Sequence, residues 1–391
     1  MDTQFVHRAS QLNLRALRSQ AGQLAIFLMA IHLFEVHVLA VTDDVLRDRG
    51  GAVFNVRSSA YGAAGTGATD DAPEIQAALN AAEAVGGGEV IIPATTAGYR
   101  IDSTLEIPTG VRLKGMGAAT LIYTGSGAAI DGKLAGGTTY AVSAGMESIG
   151  VICNTAGATG IRCRFSYSRF DNVSVGITAS NQTGWELPGD GVNGTGPYYN
   201  SFLSCDVQGK RGINGAVTNQ KGWNFTYHPS YPSRGPNTNA WFGGRVGQVD
   251  VAWRILGNGN QITNVTCEGV IGTVFKFENP DYLYGCVHNY VRGGYVEGAT
   301  GATVISFHND ALECGVDSVY ITSIGVTGVV RSGNGKNCWV RNEGYHGIYS
   351  GTGAPNIAAA VGSLYLRTDG GSGTTLYVKE SGTGISGWVA K

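Results

Sequence analysis

The chain has 391 residues, 61 of them Gly and only 10 Pro; 43% are hydrophobic, 14% are charged, and the formal net charge is −2. Low charge with ample apolar content excludes charge-driven disorder, and Gly without a Gly-X-Y period excludes collagen. The near-neutral balance leaves no basic footprint for nucleic acid, and what remains is a chain of many short strands and tight turns, long enough to bury a large core.

Residues 1–50 differ in composition from everything after them. Arg8, Arg15 and Arg18 precede the apolar run Leu24–Ile31, and His32, Glu35 and His37 break the apolar character of the next residues. A basic start, roughly ten apolar residues and a Val-Leu-Ala end fit a secretory leader. The run is short and polar for a membrane span. It suits equally a helix that docks on a partner or a symmetry mate, and a misassigned start codon accounts for it as well.

At Val53 the pattern changes. Tyr61-Gly-Ala-Ala-Gly-Thr-Gly-Ala-Thr-Asp70-Asp71 is a glycine-rich stretch running into a predicted helix. Asp70 or Asp71 is placed to cap it, with Pro73 in the first turn and Glu74 near the positive end. Ile75, Leu79 and Ala82 form an apolar stripe at helical spacing, and Gly86-Gly-Gly88 stops the helix. Strand-like runs come next at Glu89–Pro93, Tyr99–Pro108 and Val111–Gly115.

The string Tyr61-Gly-Ala-x-Gly-x-Gly-x-Thr-Asp70-Asp71, the short helix, Gly86-Gly-Gly-x-Val90-x-x-Pro93 and Leu105-x-Ile-Pro-x-Gly-Val111-x-Leu-x-Gly115 resembles the N-terminal cap of the pectate-lyase-like superfamily. The resemblance covers about residues 53–117. It implies a right-handed parallel β-helix, in a superfamily that includes bacteriophage tailspikes degrading host polysaccharides. It also implies that Asp70 and Asp71 serve the cap rather than catalysis.

Between about 118 and 345, short alternating runs recur with Gly and Asn between them. In Phe202-Leu-Ser-Cys-Asp206-Val207, Trp241-Phe-Gly-Gly-Arg245-Val246, Val265-Thr-Cys-Glu268-Gly269 and Gly294-Tyr-Val-Glu297, the residues Asp206, Arg245, Glu268 and Glu297 align. Recurrence of this kind marks a solenoid whose coils stack one on another. Alternation places Leu203, Cys205, Val265 and Cys267 inside and Asp206 and Glu268 outside. The seven cysteines, Cys153, Cys163, Cys205, Cys267, Cys286, Cys314 and Cys338, form no CxxC pair and are expected as small buried apolar residues.

Two long excursions are expected, at about 178–199 and 219–238. The first holds Trp185, Glu186, Asp190, Tyr198 and Tyr199; the second holds Trp223, Phe225, Tyr227, His228, Tyr231 and Arg234. Long loops are functional or disordered. Aromatic rings beside polar groups suit sugar faces, or else they pack the loops down. On the first reading Trp185, Trp223, Tyr227 and His228 bind substrate together with Arg245.

Glycoside hydrolysis needs a carboxylic acid and a second carboxylate. Glu268 and Glu297, one coil apart, are the foremost catalytic candidates, followed by Asp206, with Arg245 between the carboxylates to split their pKa values. A solvated sheet face presents the same row of charges. Glu147, Asp171, Asp250, Asp281, Asp310 and Asp317 are further carboxylates of this kind. Elimination is the rival chemistry, with His228, Tyr227, Lys221 and Arg245 as its groups. Neither an Asp cluster like the calcium site of pectate lyases nor the paired-Asp and Gly-His-Gly signatures of polygalacturonases is found, which puts pectin in doubt and leaves bacterial exopolysaccharide. No Walker, Gly-x-Ser-x-Gly or His-Glu-x-x-His motif occurs, so neither cofactor nor metal is expected.

At the C-terminus, Val361–Lys391 shows two alternating strands, a Gly-rich turn and a closing Trp388, and resembles a short module of phage and prophage tail proteins. A piece this small needs a partner surface, and trimerisation supplies one. The expected chain is therefore all-β: an N-terminal helical segment at 1–50, a parallel β-helix at 51–345 with its short capping helix, and a small C-terminal β module at 346–391. The resemblances imply a homotrimeric tailspike-like protein of the virion tail or extracellular space. It would bind and depolymerise a bacterial surface polysaccharide and meet a virion baseplate or tail partner through its N-terminus. A non-catalytic glycan-binding adhesin and a secreted bacterial polysaccharide lyase stand as alternatives.

Overall fold

The computed structural model describes residues 51–189, 195–210, 217–227, 235–279, 285–299, 303–321, 331–332, 335–341 and 348–391. The expectations for residues 1–50 and for His228, Asp190, Tyr231, Arg234 and Asp281 lie outside the described residues.

The predicted helix is α1 (Ala72–Ala84), with a proline in its first turn and Glu74 at its positive end. Ile75, Leu79 and Ala82 are buried, facing strands Gly88–Pro93, Leu105–Ile107 and Val111–Tyr123. The cap differs from expectation. Asp71 occupies the N-cap position, but its carboxylate accepts the N–H groups of Ala64 (2.6 Å) and Gly65 (3.1 Å) instead, pinning the glycine-rich loop. Asp70 accepts the N–H groups of Ala72 and Asp102, both at 3.0 Å. Both carboxylates thus serve the cap, as the resemblance implies.

Beyond α1 the chain winds as a parallel β-helix. A coil comprises Ser201–Leu203, a bend, Asp206–Gln208, and then Lys221–Phe225 across the core. The next coils repeat this at Ala240–Phe242, Arg245–Gly247 and Val251–Ile255, and at Gln261–Thr263, Thr266–Glu268 and Thr273–Phe277. Each strand pairs in parallel with its counterpart one coil on. Among the described residues, the first two strands of each coil join a 17-stranded sheet and the third a 9-stranded sheet.

The bend opens with a left-handed residue in each coil, Ser204 (φ 48°), Gly243 (70°), Asn264 (54°), Gly293 (62°) and Ser318 (55°), followed at Gly244 (90°) and Gly294 (103°) by a second glycine of positive φ. Gly, Asn and small polar residues adopt this conformation at least cost. The bend interrupts the period-two alternation. Phe202 and Cys205 therefore both face the core, and Leu203, predicted inside, is half-buried on the outer surface.

Stacking at one strand spacing organises the interior. Phe170, Phe202 and Trp241 stack at 5.0 and 4.7 Å on one wall. Trp185, Trp223 and Trp253 stack at 4.8 and 5.1 Å on the other. The two columns meet edge-on, Trp185 with Phe202 and Trp223 with Trp241, both at 5.5 Å, an arrangement favoured by the ring quadrupoles. Trp185 and Trp223, expected to bind sugar, are 0% exposed. They sit mid-strand and point inward; the excursions begin only after Leu187 and Phe225.

A polar ladder runs alongside. Asn200, Asn239, Asn260 and Asn289 are buried one per coil. The side-chain carbonyl of each of the last three accepts the main-chain N–H of the previous one, at 3.0, 3.1 and 3.0 Å. Their amides donate to the carbonyls of Pro197 (2.7 Å), Pro236 (3.0 Å) and Gly257 (2.8 Å). Buried backbone at the corner is satisfied this way. The cysteines are free, and all but Cys338 are buried. Burial pushes the Cys153, Cys205 and Cys267 thiols up to about 12, so they behave as apolar filling.

Ile348–Gly351, Leu364–Arg367, Leu376–Lys379 and Trp388–Ala390 form a four-stranded sheet, its first pair parallel and the others antiparallel. Trp388 meets Tyr365 edge-on at 6.0 Å and donates its indole N–H to the Ile357 carbonyl (3.1 Å).

Trp223→Ala should cost about 3–5 kcal/mol in denaturant unfolding. Trp223→Phe should cost much less, because the native indole N–H is buried without an acceptor and its loss relieves a penalty. Asn239→Leu should cost about 1–3 kcal/mol for each corner group stranded, the Asn200 N–H and the Pro197 carbonyl. Wild-type midpoints for Trp223→Ala or Asn239→Leu would contradict this account of the core.

Candidate functional site

The four charged residues singled out from the sequence lie together on the outer face of the second strand of successive coils. Counting from the left-handed bend fixes their register. Asp206, Arg245, Thr266 and Tyr295 each lie two residues past it and share one column. Gln208, Gly247, Glu268 and Glu297 share the next column along the strand. The expected single row is thus two adjacent columns. Matching on the apolar residue concealed this, since Asp206 precedes Val207 whereas Glu268 follows Cys267. Glu268 and Glu297 do lie one coil apart in register, as expected.

Arg245 ties the group together. Its main-chain N–H donates to Asp206 Oδ1 (2.7 Å). Its guanidinium donates through Nε (2.8 Å) and Nη2 (2.5 Å) to Glu268 Oε2, and through Nη1 (2.8 Å) to Gln208 Oε1. Gly247 makes this reach possible: a Cβ there would lie 2.7 Å from Gln208 Oε1 and 3.3 Å from Arg245 Cζ. The Arg245–Glu268 pair is partly solvated, so its worth is orientation more than stability.

A trough of about 290 Å³ opens beside this group, lined by Thr120, Gly150, Ile152, Ser174 and Gly176 and closed by Asp206, Gln208 and Arg245. It exists because Gly150, Ser174 and Gly176 put little or no side chain on their coils, between the isoleucine at 152 and the longer side chains of the later coils. Asp206 is half-buried at its end. Burial raises its carboxyl above the ordinary carboxylate range, outweighing the Arg245 N–H bond and the Arg245 charge, which both pull it down. A half-buried carboxyl with a raised pKa thus stands across Arg245 from an ion-paired carboxylate.

The other carboxylates are engaged structurally. Glu147 pairs with Arg112 (3.2 Å) and Lys114 (3.1 Å), and Asp171 with Arg169 (2.8 Å). Asp250 accepts the Gln220 N–H (2.8 Å), Asp310 pairs with Lys336 (2.9 Å), and Asp317 accepts the Ser318 hydroxyl (3.1 Å). On the 9-stranded sheet, Arg162 pairs with Glu186 (3.0 Å) and Arg254 with Glu278 (2.5 Å), a solvated charge ladder.

Of the described groups for elimination, Lys221 and Arg245 are not brought together, and His228 lies outside the described residues. Lys221 stands on the 9-stranded sheet and Arg245 on the 17-stranded one. Burial, followed by the Arg254 charge, does depress the Lys221 ammonium. Tyr227 packs partly against the core.

Sequence reasoning missed Gln208, Gly247 and the small residues that make the trough. Their signal was a constant offset from the bend, legible only once the bend is placed. Among the described residues no cluster of His, Cys, Asp and Glu could hold a metal ion, and no helix is long and apolar enough to cross a membrane.

No family model matches the chain. Two mannuronan C5-epimerases of Azotobacter vinelandii match a short stretch: AlgE1 at 47% identity over 73 residues and AlgE3 at 46% over 72, each 17% of this chain. The matches span 5% and 4% of the length of those relatives. Among solved structures, the chain is similar to the tailspike protein of Acinetobacter phage vB_ApiP_P1, with 14% identity and a TM-score of 0.46 over 78% of this chain and 52% of that one. It is similar to a mutant tailspike protein of E. coli bacteriophage HK620 in complex with a pentasaccharide, at 12% and 0.47 over 86% and 57%. It is also similar to PfbA, a surface adhesin of Streptococcus pneumoniae, at 12% and 0.46 over 87% and 99%. Likeness this low decides nothing about chemistry. The parallel β-helix stands on the register of this chain's own strands.

Asp206 sets a pH signature. Because folding raises its pKa, its favourable contribution is present below the unfolded-state value and is lost as pH rises through the folded one. Asp206→Asn keeps an acceptor for the Arg245 N–H and removes the desolvated charge. It should melt at or above wild type at pH 7, and the advantage should vanish toward pH 3. Melting clearly below wild type at pH 7 would mean that the carboxylate stabilises the fold.

Proposed function

We propose that the chain is a tailspike-like protein that binds a bacterial surface polysaccharide along the trough and hydrolyses it. The observation that carries this reading is Asp206: a half-buried carboxyl, raised by desolvation, set across Arg245 from Glu268 at the end of an open trough. Asp206 would protonate the leaving oxygen. Glu268, oriented by Arg245, would direct water at the sugar, the division of labour that hydrolysis requires. The two carboxylates belong to coils two apart and to adjacent columns, so their strand positions lie roughly 12 Å apart, and the side chains would have to lean together over Arg245 to reach the ~6.5–9.5 Å of inverting enzymes. Glu297, exposed one coil beyond Glu268, would contact substrate further along. A homotrimer located on the virion tail or outside the cell, with its N-terminus against a baseplate or tail partner, completes the proposal.

One observation favours a second reading, a non-catalytic adhesin: the Arg245–Glu268 ion pair occupies the carboxylate that hydrolysis needs free. A secreted lyase is disfavoured by the placement of Lys221 and Arg245 on different sheets.

Purified capsular, exopolysaccharide and O-antigen panels, digested while reducing ends and ultraviolet absorbance are followed, separate these readings. Hydrolysis yields reducing ends without absorbance, and Asp206→Asn should lower the rate about 10²–10⁴-fold, the usual worth of a general acid. Glu268→Gln should lower it comparably. The rate of the wild type should decline as pH rises through the raised Asp206 value. Absorbance of an unsaturated uronate would overturn hydrolysis; a glycan bound but uncut would establish the adhesin.

A further inference from the structure

Away from the trough, the first strands of three later coils, Tyr290–Arg292, Gly315–Asp317 and Trp339–Arg341, pair in register. Tyr290, Gly315 and Trp339 form one column of their outer face, and Arg292, Asp317 and Arg341 the next, while Val291 and Val316 face the core. Two coils separate Tyr290 from Trp339, which is about 9.5 Å of strand spacing, yet their ring centroids lie 6.0 Å apart. The glycine between them explains the closeness: a Cβ on Gly315 would lie 2.4 Å from the Trp339 ring, so the indole lies down over bare backbone.

Each ring carries a guanidinium. Arg292 Cζ lies 5.3 Å from the Tyr290 centroid and Arg341 Cζ 5.1 Å from the Trp339 centroid. Both arginines are exposed, and neither makes an ion pair with a described residue. The carboxylate between them, Asp317, accepts the Ser318 hydroxyl (3.1 Å), and the column of Arg292, Asp317 and Arg341 keeps a net positive charge, with Glu297 exposed on the adjoining strand. On the adjoining strand Tyr295 and Tyr320 stack at 5.7 Å and 11°, with Tyr320 63% exposed. A guanidinium held over a ring by cation–π attraction is pre-ordered, and its N–H fork is able to take a carboxylate in bidentate fashion.

We propose that this platform is a binding subsite for an acidic polysaccharide. Uronate carboxylates would dock on Arg292 and Arg341, with sugar faces over the Trp339 and Tyr320 rings. The strand positions that carry Arg292 and Arg341 lie two coils apart, a spacing comparable to one disaccharide repeat of an extended glycan. The inference rests on the glycan-directed reading above and deepens it by naming the charge of the substrate.

The test is calorimetric titration of the full chain with hyaluronan oligosaccharides, polymannuronate oligosaccharides and carboxyl-reduced hyaluronan. At least one of the two carboxylated polymers should bind about tenfold or more tightly than the reduced one, as a charge-assisted contact implies. Arg292→Ala and Arg341→Ala, both exposed and checked for unchanged melting, should each weaken acidic-glycan binding about tenfold and flatten its salt dependence. Binding of neither acidic polymer, equal binding of the reduced polymer, or wild-type affinity in both arginine variants would overturn the proposal. The trough reading fails separately, if Asp206→Asn still cuts its glycan at the wild-type rate.

Discussion

Parallel stacking of successive coils at a single strand spacing is the constraint on which everything else in this molecule depends. It makes the nearest neighbour of each side chain its own counterpart one coil away. Whatever occupies a column must therefore tolerate a copy of itself, or a complement, at about 4.8 Å. Aromatic rings meet that condition inside, where Phe170, Phe202 and Trp241 stack against the column of Trp185, Trp223 and Trp253. Asparagine meets it at the corner, since one amide accepts from the preceding coil and donates to the coils on either side.

Charge meets the condition by alternation or by sharing a partner of opposite sign. On the 9-stranded sheet Arg162 faces Glu186 in register, while Arg254 faces Lys276 and both pair with Glu278 just past the strand. On the outer face of the 17-stranded sheet alternation is incomplete. Glu268 and Glu297 stand in register with like charge, Arg245 is shared by Glu268 and Gln208, and Asp206 is left half-buried with its pKa raised. Arg292 and Arg341 flank Asp317 in register, and each guanidinium lies over an aromatic ring rather than in an ion pair with a described residue. The half-burial of Asp206 beside an open trough and the two guanidiniums over aromatic rings are the features on which the proposed recognition surfaces rest.

Much of this was legible in the residues. The glycine-rich turn, the helix with its stripe of Ile75, Leu79 and Ala82, and the strand at Glu89–Pro93 arise from local propensity and period, and they appear where expected. That Asp206, Arg245, Glu268 and Glu297 face outward was also readable, because alternation within a three-residue strand survives any choice of register. Trp185 and Trp223 misled because an aromatic in a Gly- and Asn-rich stretch reads as loop. Whether such a ring points in or out depends on where the strand ends, and these strands run to Leu187 and Phe225. Leu203 misled because the left-handed bend at Ser204 shifts the alternation, and serine carries no strong signal for that conformation.

The sequence by itself determined the class of fold, the capping segment and the outward placement of the charged residues, because these depend on local conformation and a period of two. Only the tertiary structure decided which outward residues meet. The loops between coils vary in length, so spacing along the chain cannot set register. The left-handed corner sets it instead, placing Arg245 between Asp206 and Glu268, opening the trough over Gly150, Ser174 and Gly176, and laying Trp339 over Gly315.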